Sequence, residues 1–275
     1  MLNFLKSFFL ILFLIFFAIS CTGSKQEEIK PKKIISLDRL YKAAYQNFET
    51  GKYNEALELF KKVESDFSYT DWASRSLLMR SYIYYDSARY IDALTNLQSF
   101  KTRYAGSKDI PYAEYLIAMC LFEQINFVAL SQENTKLALG QFEKIIKEYP
   151  NSIFAEDAKF KIDLLYEQLA GKEMYIARYY MKRNKWLPAL YRLNNIYKNY
   201  QTTIYIEEAL HRLVEINYKI GNISLAKKYA VILGYNFNDS DWYKKSYNIV
   251  SEKKYEIKNN KNSFKEKLIQ LIKSN

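Results

Sequence analysis

In 275 residues the side chains that most often do nucleophilic, metal-binding or proton-transfer chemistry are scarce: one histidine, His211, and two cysteines, Cys21 and Cys120. A zinc site or a serine triad needs several such groups at fixed spacing, and His211 has no His or Cys near it, so it is read as a surface or hydrogen-bonded packing residue. Cys120 lies within Ala118-Met119-Cys120-Leu121 and is read as a small buried hydrophobe. The acid pairs Glu207-Glu208 and Glu27-Glu28 are read as solvated charge, on a helix and in a polar tether respectively. There is no glycine-rich phosphate loop and no G-x-S-x-G elbow. The chain therefore reads as a non-enzyme, with no metal or cofactor expected.

Cys21 suggests chemistry of another kind. An uninterrupted apolar run of twelve residues, Phe8 to Ile19, follows Lys6 and leads into Ser20-Cys21. That length suits the core of a signal peptide, about 7–15 residues, and falls short of the roughly 20 that cross a bilayer. The context Ala18-Ile19-Ser20-Cys21 resembles a lipobox, with Ala18 where Leu is usual. Residues 1–20 are thus expected to be cleaved and Cys21 to carry lipid, since two or more acyl chains are what stable anchoring requires. Residues 21–35 form a polar tether, and Thr22 is not the Asp that marks inner-membrane retention in many Gram-negative lipoproteins. The resemblance points to the outer membrane, on its periplasmic side. Cleavage removes Lys6 and no acid, so 41 − 1 = 40 basic groups face 30 acidic ones, a mature charge of +10. Such a balance suits anionic lipid, an acidic protein or nucleic acid, and export excludes the last. The final stretch, Ser251 to Asn275, is a basic tail with seven lysines and three glutamates.

The elements that would position any binding residues are predicted to be helices. The chain is 49% apolar, and seven glycines with four prolines are too few for the turns of an all-β sandwich. Small alanines recur in one frame: Tyr53-x-x-Ala56-x-x-x-Phe60, Tyr90-x-x-Ala93-x-x-x-Leu97, Thr135-x-x-Ala138-x-x-x-Phe142, Trp186-x-x-Ala189-x-x-x-Leu193 and Ile223-x-x-Ala226-x-x-x-Ala230. This spacing puts three positions on one helix face, with alanine where a second helix comes closest. Eleven residues after each alanine stands an aromatic (Phe67, Tyr104, Tyr149, Tyr200, Phe237), and three further on a hydroxyl residue (Thr70, Ser107, Ser152, Thr203, Ser240). The aromatic is expected to close its helix after about three turns and the hydroxyl to N-cap the next one. The turn position before each alanine helix is Gly51 or Gly221 in two units and Ala88, Glu133 or Asn184 in the others.

These signposts resemble the tetratricopeptide repeat, a helix-turn-helix of about 34 residues. The predicted fold is all-α: a tetratricopeptide-repeat superhelix of five helix-turn-helix units behind a lipoprotein signal peptide. Repeats fall at about 37–70, 71–107, 111–152, 154–203 and 205–240 within a body of 36–250. Alanine spacings of 37, 45, 51 and 37 call for an expanded turn near Ser131-Gln132-Glu133-Asn134 and a long helix from about Phe154 to Arg183, with Gly171 as the place for a kink. Stacked units of this kind present a concave surface for protein or peptide. Most of the 26 tyrosines are read as packing, with Tyr82, Tyr84, Tyr85, Tyr112 and Tyr115 the candidates to line a groove for an extended, aromatic-rich peptide.

A narrower resemblance rests on Tyr112–Ile125, Tyr149–Ala158, Leu169–Met174 and Tyr179–Arg183, and on Tyr200–Thr203 followed by Glu207–Leu213. Together with the lipobox and the irregular spacings these resemble the BamD family, the lipoproteins of the outer-membrane β-barrel assembly (BAM) complex, over roughly residues 21–250. Proline follows the closing aromatic only at Pro150, a departure from the family pattern. The resemblance implies a non-catalytic subunit bound to the periplasmic POTRA domains of BamA and to other BAM subunits, engaging unfolded outer-membrane protein precursors by their carboxy-terminal segment. It implies contact with an acidic BamA residue at Arg192, with Arg183 and Trp186 beside it. The alternative is another periplasmic repeat lipoprotein scaffolding cell-envelope enzymes, which need not share Leu169 to Arg183.

Overall fold

Residues 36–251 are described by the computed structural model; the expected signal peptide, Cys21, the expected tether and the basic stretch beyond 251 lie outside the described residues. Every regular element among the described residues is a helix: α1 (Leu37–Glu49), α2 (Tyr53–Asp66), α3 (Asp71–Asp86), α4 (Tyr90–Arg103), α5 (Ile110–Phe122), α6 (Glu133–Glu148), α7 (Ile153–Lys182), α8 (Trp186–Asn199), α9 (Ile206–Lys219) and α10 (Ile223–Asn236). An eleventh helix, α11, begins at 241 and is still helical at 251, the last described residue. The helices pair as five helix-turn-helix units, and contacts run between helices one or two places apart in the chain, as in a stacked solenoid.

The alanine frame is the packing seam. Ala56, Ala93, Ala138, Ala189 and Ala226 are fully buried on the second helix of each unit, and Phe60, Leu97, Phe142 and Leu193, one turn on, are equally inaccessible. A methyl group lets the paired helix approach, and the large side chain above it fills the space between units. Four apolar clusters follow one another from α1 to α11.

Each closing aromatic is the C-cap of its helix, with φ between −125° and −142° and its N–H bonded to the carbonyl four residues earlier. The hydroxyl residues divide. Thr70 and Ser152 accept from the N–H groups of Ala73 and Ala155, and Ser240 accepts from Trp242 N–H at the start of α11, so these three cap as expected. Ser107 and Thr203 do not, because a further turn delays α5 to Ile110 and α9 to Ile206. Thr203 instead donates to the Tyr200 carbonyl at 2.8 Å.

The tight turns inside four units share one hydrogen-bond pattern and one left-handed residue: Gly51 (φ 73°), Ala88 (55°), Asn184 (55°) and Gly221 (86°). Glu133 is not their counterpart. In the third unit the turn is expanded to residues 123–132, and Glu133 opens α6. The extra length in the fourth unit is the 30-residue helix α7, which continues without a break through Gly171. There a Cβ would stand 3.0 Å from the Tyr205 hydroxyl, so the glycine admits a neighbouring ring and marks no interruption.

Buried glutamates tie the helices together. Glu114 on α5, 2% exposed, pairs with Lys101 of α4 and Lys144 of α6. Burial pushes its pKa up, but the two lysines outweigh burial and hold the carboxyl below its ordinary range. Glu208 is buried too, pairing with Arg178 of α7 and with Arg212, while Glu207 accepts from Ser240. The expectation of solvated charge fails at Glu208 because Arg178 of α7 reaches over that side of α9, and Glu207 is only half-buried, held by the residue that caps α11.

Candidate partner-binding surfaces

Two surfaces carry the sequence candidates. The first is the wall formed by the first helices of units one to three, α1, α3 and α5, which touch one another directly. A cavity of about 280 Å³ there is lined by Tyr41, Arg75, Leu78, Met79, Tyr82, Lys108, Asp109 and Tyr112. It adjoins a second cavity of about 480 Å³ that shares Arg75, Lys108 and Asp109 and carries Tyr69, Arg103 and Tyr104. Tyr69 is 99% exposed with φ 67°, an unfavourable backbone conformation for so large a side chain. Arg103 is neutralised by Glu64, whereas among the described residues Arg75 and Lys108 have no ion pair. Arg75 only approaches the Trp72 ring, at 5.6 Å. The result is an apolar, aromatic trough in the smaller cavity that opens onto a polar one, with the Arg75 and Lys108 cations and the Asp109 carboxylate at their shared edge.

Of the five tyrosine candidates, the structure brings Tyr82 and Tyr112 to this trough. Tyr112 rests on Phe154 and its phenol is pushed up to about 12 by burial, so it stays a neutral hydrogen-bond donor. The other three line neither cavity. Tyr84 stands two residues and about 200° round the helix from Tyr82, packs between units and receives the Arg89 guanidinium over its ring at 4.6 Å. Tyr85 leans on Tyr82 and Tyr90 over the core of the second and third units. Tyr115 donates its hydroxyl to Asp157 and stacks on Phe154. Sequence reasoning missed Tyr41, Arg75, Leu78, Met79 and Lys108. The signal was available in part: Arg75, Leu78, Met79 and Tyr82 follow i, i+3, i+4, i+7, one helical face.

The second surface surrounds Arg192. Its Nη1 lies 3.2 Å from both carboxylate oxygens of Glu173 on α7. Both residues line a cavity of about 480 Å³ together with Lys136, Lys172, Ile176, Asn195, Tyr200 and the expanded turn at 129–132. The turn is held against α7 by Lys172 Nζ on the Ala129 carbonyl and by Gln168 on the Asn126 carbonyl. Arg183 and Trp186 do not line this cavity. Arg183 is the C-cap of α7 and lies 3.8 Å over the Tyr179 ring; Trp186 opens α8, half-buried between the last two units with Lys219 at 5.1 Å. Beside them α7 exposes Tyr175 and Tyr179, and α8 exposes Leu187 and Tyr191, each pair one turn apart. Exposed aromatic and aliphatic side chains of this kind, next to arginine, are typical of protein interfaces.

Residues 35–232 match the model of the YfiO family, described as outer membrane lipoprotein. The outer membrane protein assembly factor BamD of Caulobacter vibrioides is 36% identical over 84% of this chain and 76% of its own length. The chain belongs to the BamD family. BamD of Rickettsia prowazekii is 35% identical over 83% of this chain and 91% of its own, and BamD of Neisseria meningitidis serogroup A 30% over 81% and 87%. The BamD family match takes in both surfaces and leaves α11 outside it.

Within this BamD-family fold the remaining reactive groups have packing partners. Cys120 is buried, and burial pushes its thiol up to about 12. His211 takes the hydrogen-bonded packing reading: Nδ1 is 2.8 Å from Ser246 Oγ of α11, the ring lies beside Trp242, and burial, then Arg212, lowers its pKa to about 4. Among the described residues no cluster of three or more His, Cys, Asp or Glu is placed to hold a metal, and no helix is long and apolar enough to cross a membrane.

Proposed function

We propose that the chain is an outer-membrane protein assembly factor, a non-catalytic scaffold anchored by lipid on Cys21 at the periplasmic side of the outer membrane. It binds the periplasmic POTRA domains of BamA through the Arg192 surface, flanked by Arg183 and Trp186. Other BAM subunits complete the assembly. Unfolded β-barrel precursors enter the trough at Tyr82 and Tyr112, where aromatic side chains meet the apolar wall and Arg75 with Lys108 suits a terminal carboxylate.

The observation that carries this reading is membership of the BamD family across most of the chain, with relatives named as outer-membrane assembly factors. The two surfaces support the division of labour. Depletion of the protein in its own cell, followed by an assay for heat-resistant folded porin, tests it: folded porin should fall as the protein disappears. Porins that reach the heat-resistant form at normal levels without it would overturn the assembly role.

A further inference from the structure

Glu173 and Arg192 make an asymmetric pair. Both Glu173 oxygens address Nη1 alone, at 3.2 Å each, and among the described residues neither Nε nor Nη2 of Arg192 has an acceptor. The glutamate side chain is 15% exposed and the arginine 33%. Guanidinium is a planar fork with five donors, so a carboxylate on one nitrogen leaves an entire edge able to take a second carboxylate in bidentate fashion.

We infer that Glu173 is a positioning residue: it fixes Arg192 so that the Nε–Nη2 edge is presented to a carboxylate of the docking partner. The inference rests on the reading of Arg192 as a partner contact and adds a residue to it. Two effects oppose each other in such an arrangement. Holding a long side chain in one rotamer removes an entropic cost from binding, whereas a second carboxylate near Glu173 meets like charge. The cavity decides between them. Lys136, Lys172 and Arg192 against Glu173 give three cations and one anion, a local excess of 3 − 1 = +2. An incoming carboxylate is therefore attracted overall, and the fixed geometry dominates.

A double-mutant cycle on the full-length protein, with the purified periplasmic domains of the barrel subunit as probe, separates the possibilities. Arg192→Ala should weaken binding at least about tenfold, as truncation of an interface arginine does, and Glu173→Gln about fivefold. The double variant should bind no more weakly than Arg192→Ala alone, because Glu173 acts only through the arginine. Melting temperature should be the same for wild type and Glu173→Gln. If the glutamine variant loses its cooperative melt, Glu173→Asp, which withdraws the charge by one methylene, takes its place with the same expectation. Normal binding by Arg192→Ala would overturn the partner contact itself. Lost binding by Arg192→Ala combined with unchanged or tighter binding by the Glu173 variant, or with losses that add, would overturn the positioning role while the contact stands.

Discussion

The Tyr115 hydroxyl donates to Asp157 Oδ2 across 2.6 Å, joining α5 of the third unit to α7 of the fourth. A tyrosine that sequence reasoning offered to the groove is thus a strut between units. Tyr115→Phe should cost about 1.5–3 kcal/mol, the usual net value of a hydrogen bond to a charged group. That corresponds to a fall of at least about 3 °C in melting temperature for a domain of this size, read by circular dichroism, with affinity for precursor peptides unchanged.

The trough variants should lose affinity instead. Tyr82→Ala, or Arg75→Glu with Lys108→Glu, should weaken a fluorescent carboxy-terminal precursor peptide by about tenfold or more, the loss expected for an aromatic anchor or a paired charge. Arg75 and Lys108 have no ion pair among the described residues, so the charge variant should melt close to wild type, whereas Tyr82 also packs on Phe48 and Tyr85 and its truncation should lower the melting temperature as well. Amidating the peptide's terminus should mimic the charge reversal and leave the Tyr82 effect intact. Equal binding of the amidated and free peptides would remove Arg75 and Lys108 from recognition.

At the other surface, Arg192→Glu should abolish co-purification with BamA from solubilised membranes. Its Glu173 pair is partly exposed, so the isolated protein should melt within about 3 °C of wild type. Retained BamA in the pull-down would refute the assignment.

Acid should loosen the carboxy-terminal end first. His211 has a folded pKa of about 4 against an ordinary 6.5, so below pH 6.5 the unfolded chain takes up a proton that the folded chain refuses. Stability conferred by the neutral imidazole is complete above about 6.5 and lost progressively as pH falls towards 4. Thermal melts at pH 7.5, 6 and 5 should decline, and His211→Gln, which can still reach Ser246, should flatten the decline. Glu114, Glu208 and Glu215, all held below the usual carboxylate range, add their own loss only at lower pH, as they protonate.

Ala88 occupies the left-handed turn position that Gly51 and Gly221 fill in other units. A Cβ there costs about 1–2 kcal/mol, while glycine in the unfolded chain costs about 0.4–1 kcal/mol in entropy. Ala88→Gly should therefore raise stability by up to about 1.6 kcal/mol, and Gly51→Ala should lower it, in the same melting assay.

Short-range spacing fixes the part of the fold that neighbouring residues impose on one another. The alanine frame, the aromatic C-caps, the turn glycines and the long α7 all express spacings of a few residues, and the local backbone is set by sterics and capping whatever the rest of the chain does. Hence Ala56 and its four counterparts, Tyr149 as a cap and Gly51 as a turn were all legible before any coordinates. Tertiary structure alone decided which tyrosines face a trough and which charges meet. Tyr82 and Tyr84 are the same residue type two places apart, separated only by the rotation of α3 against its neighbours. Glu208 becomes a buried ion-pair partner and Glu173 the holder of Arg192 because α7 packs against α9 and α8, and no spacing along the chain encodes which side chains a helix meets once it is packed.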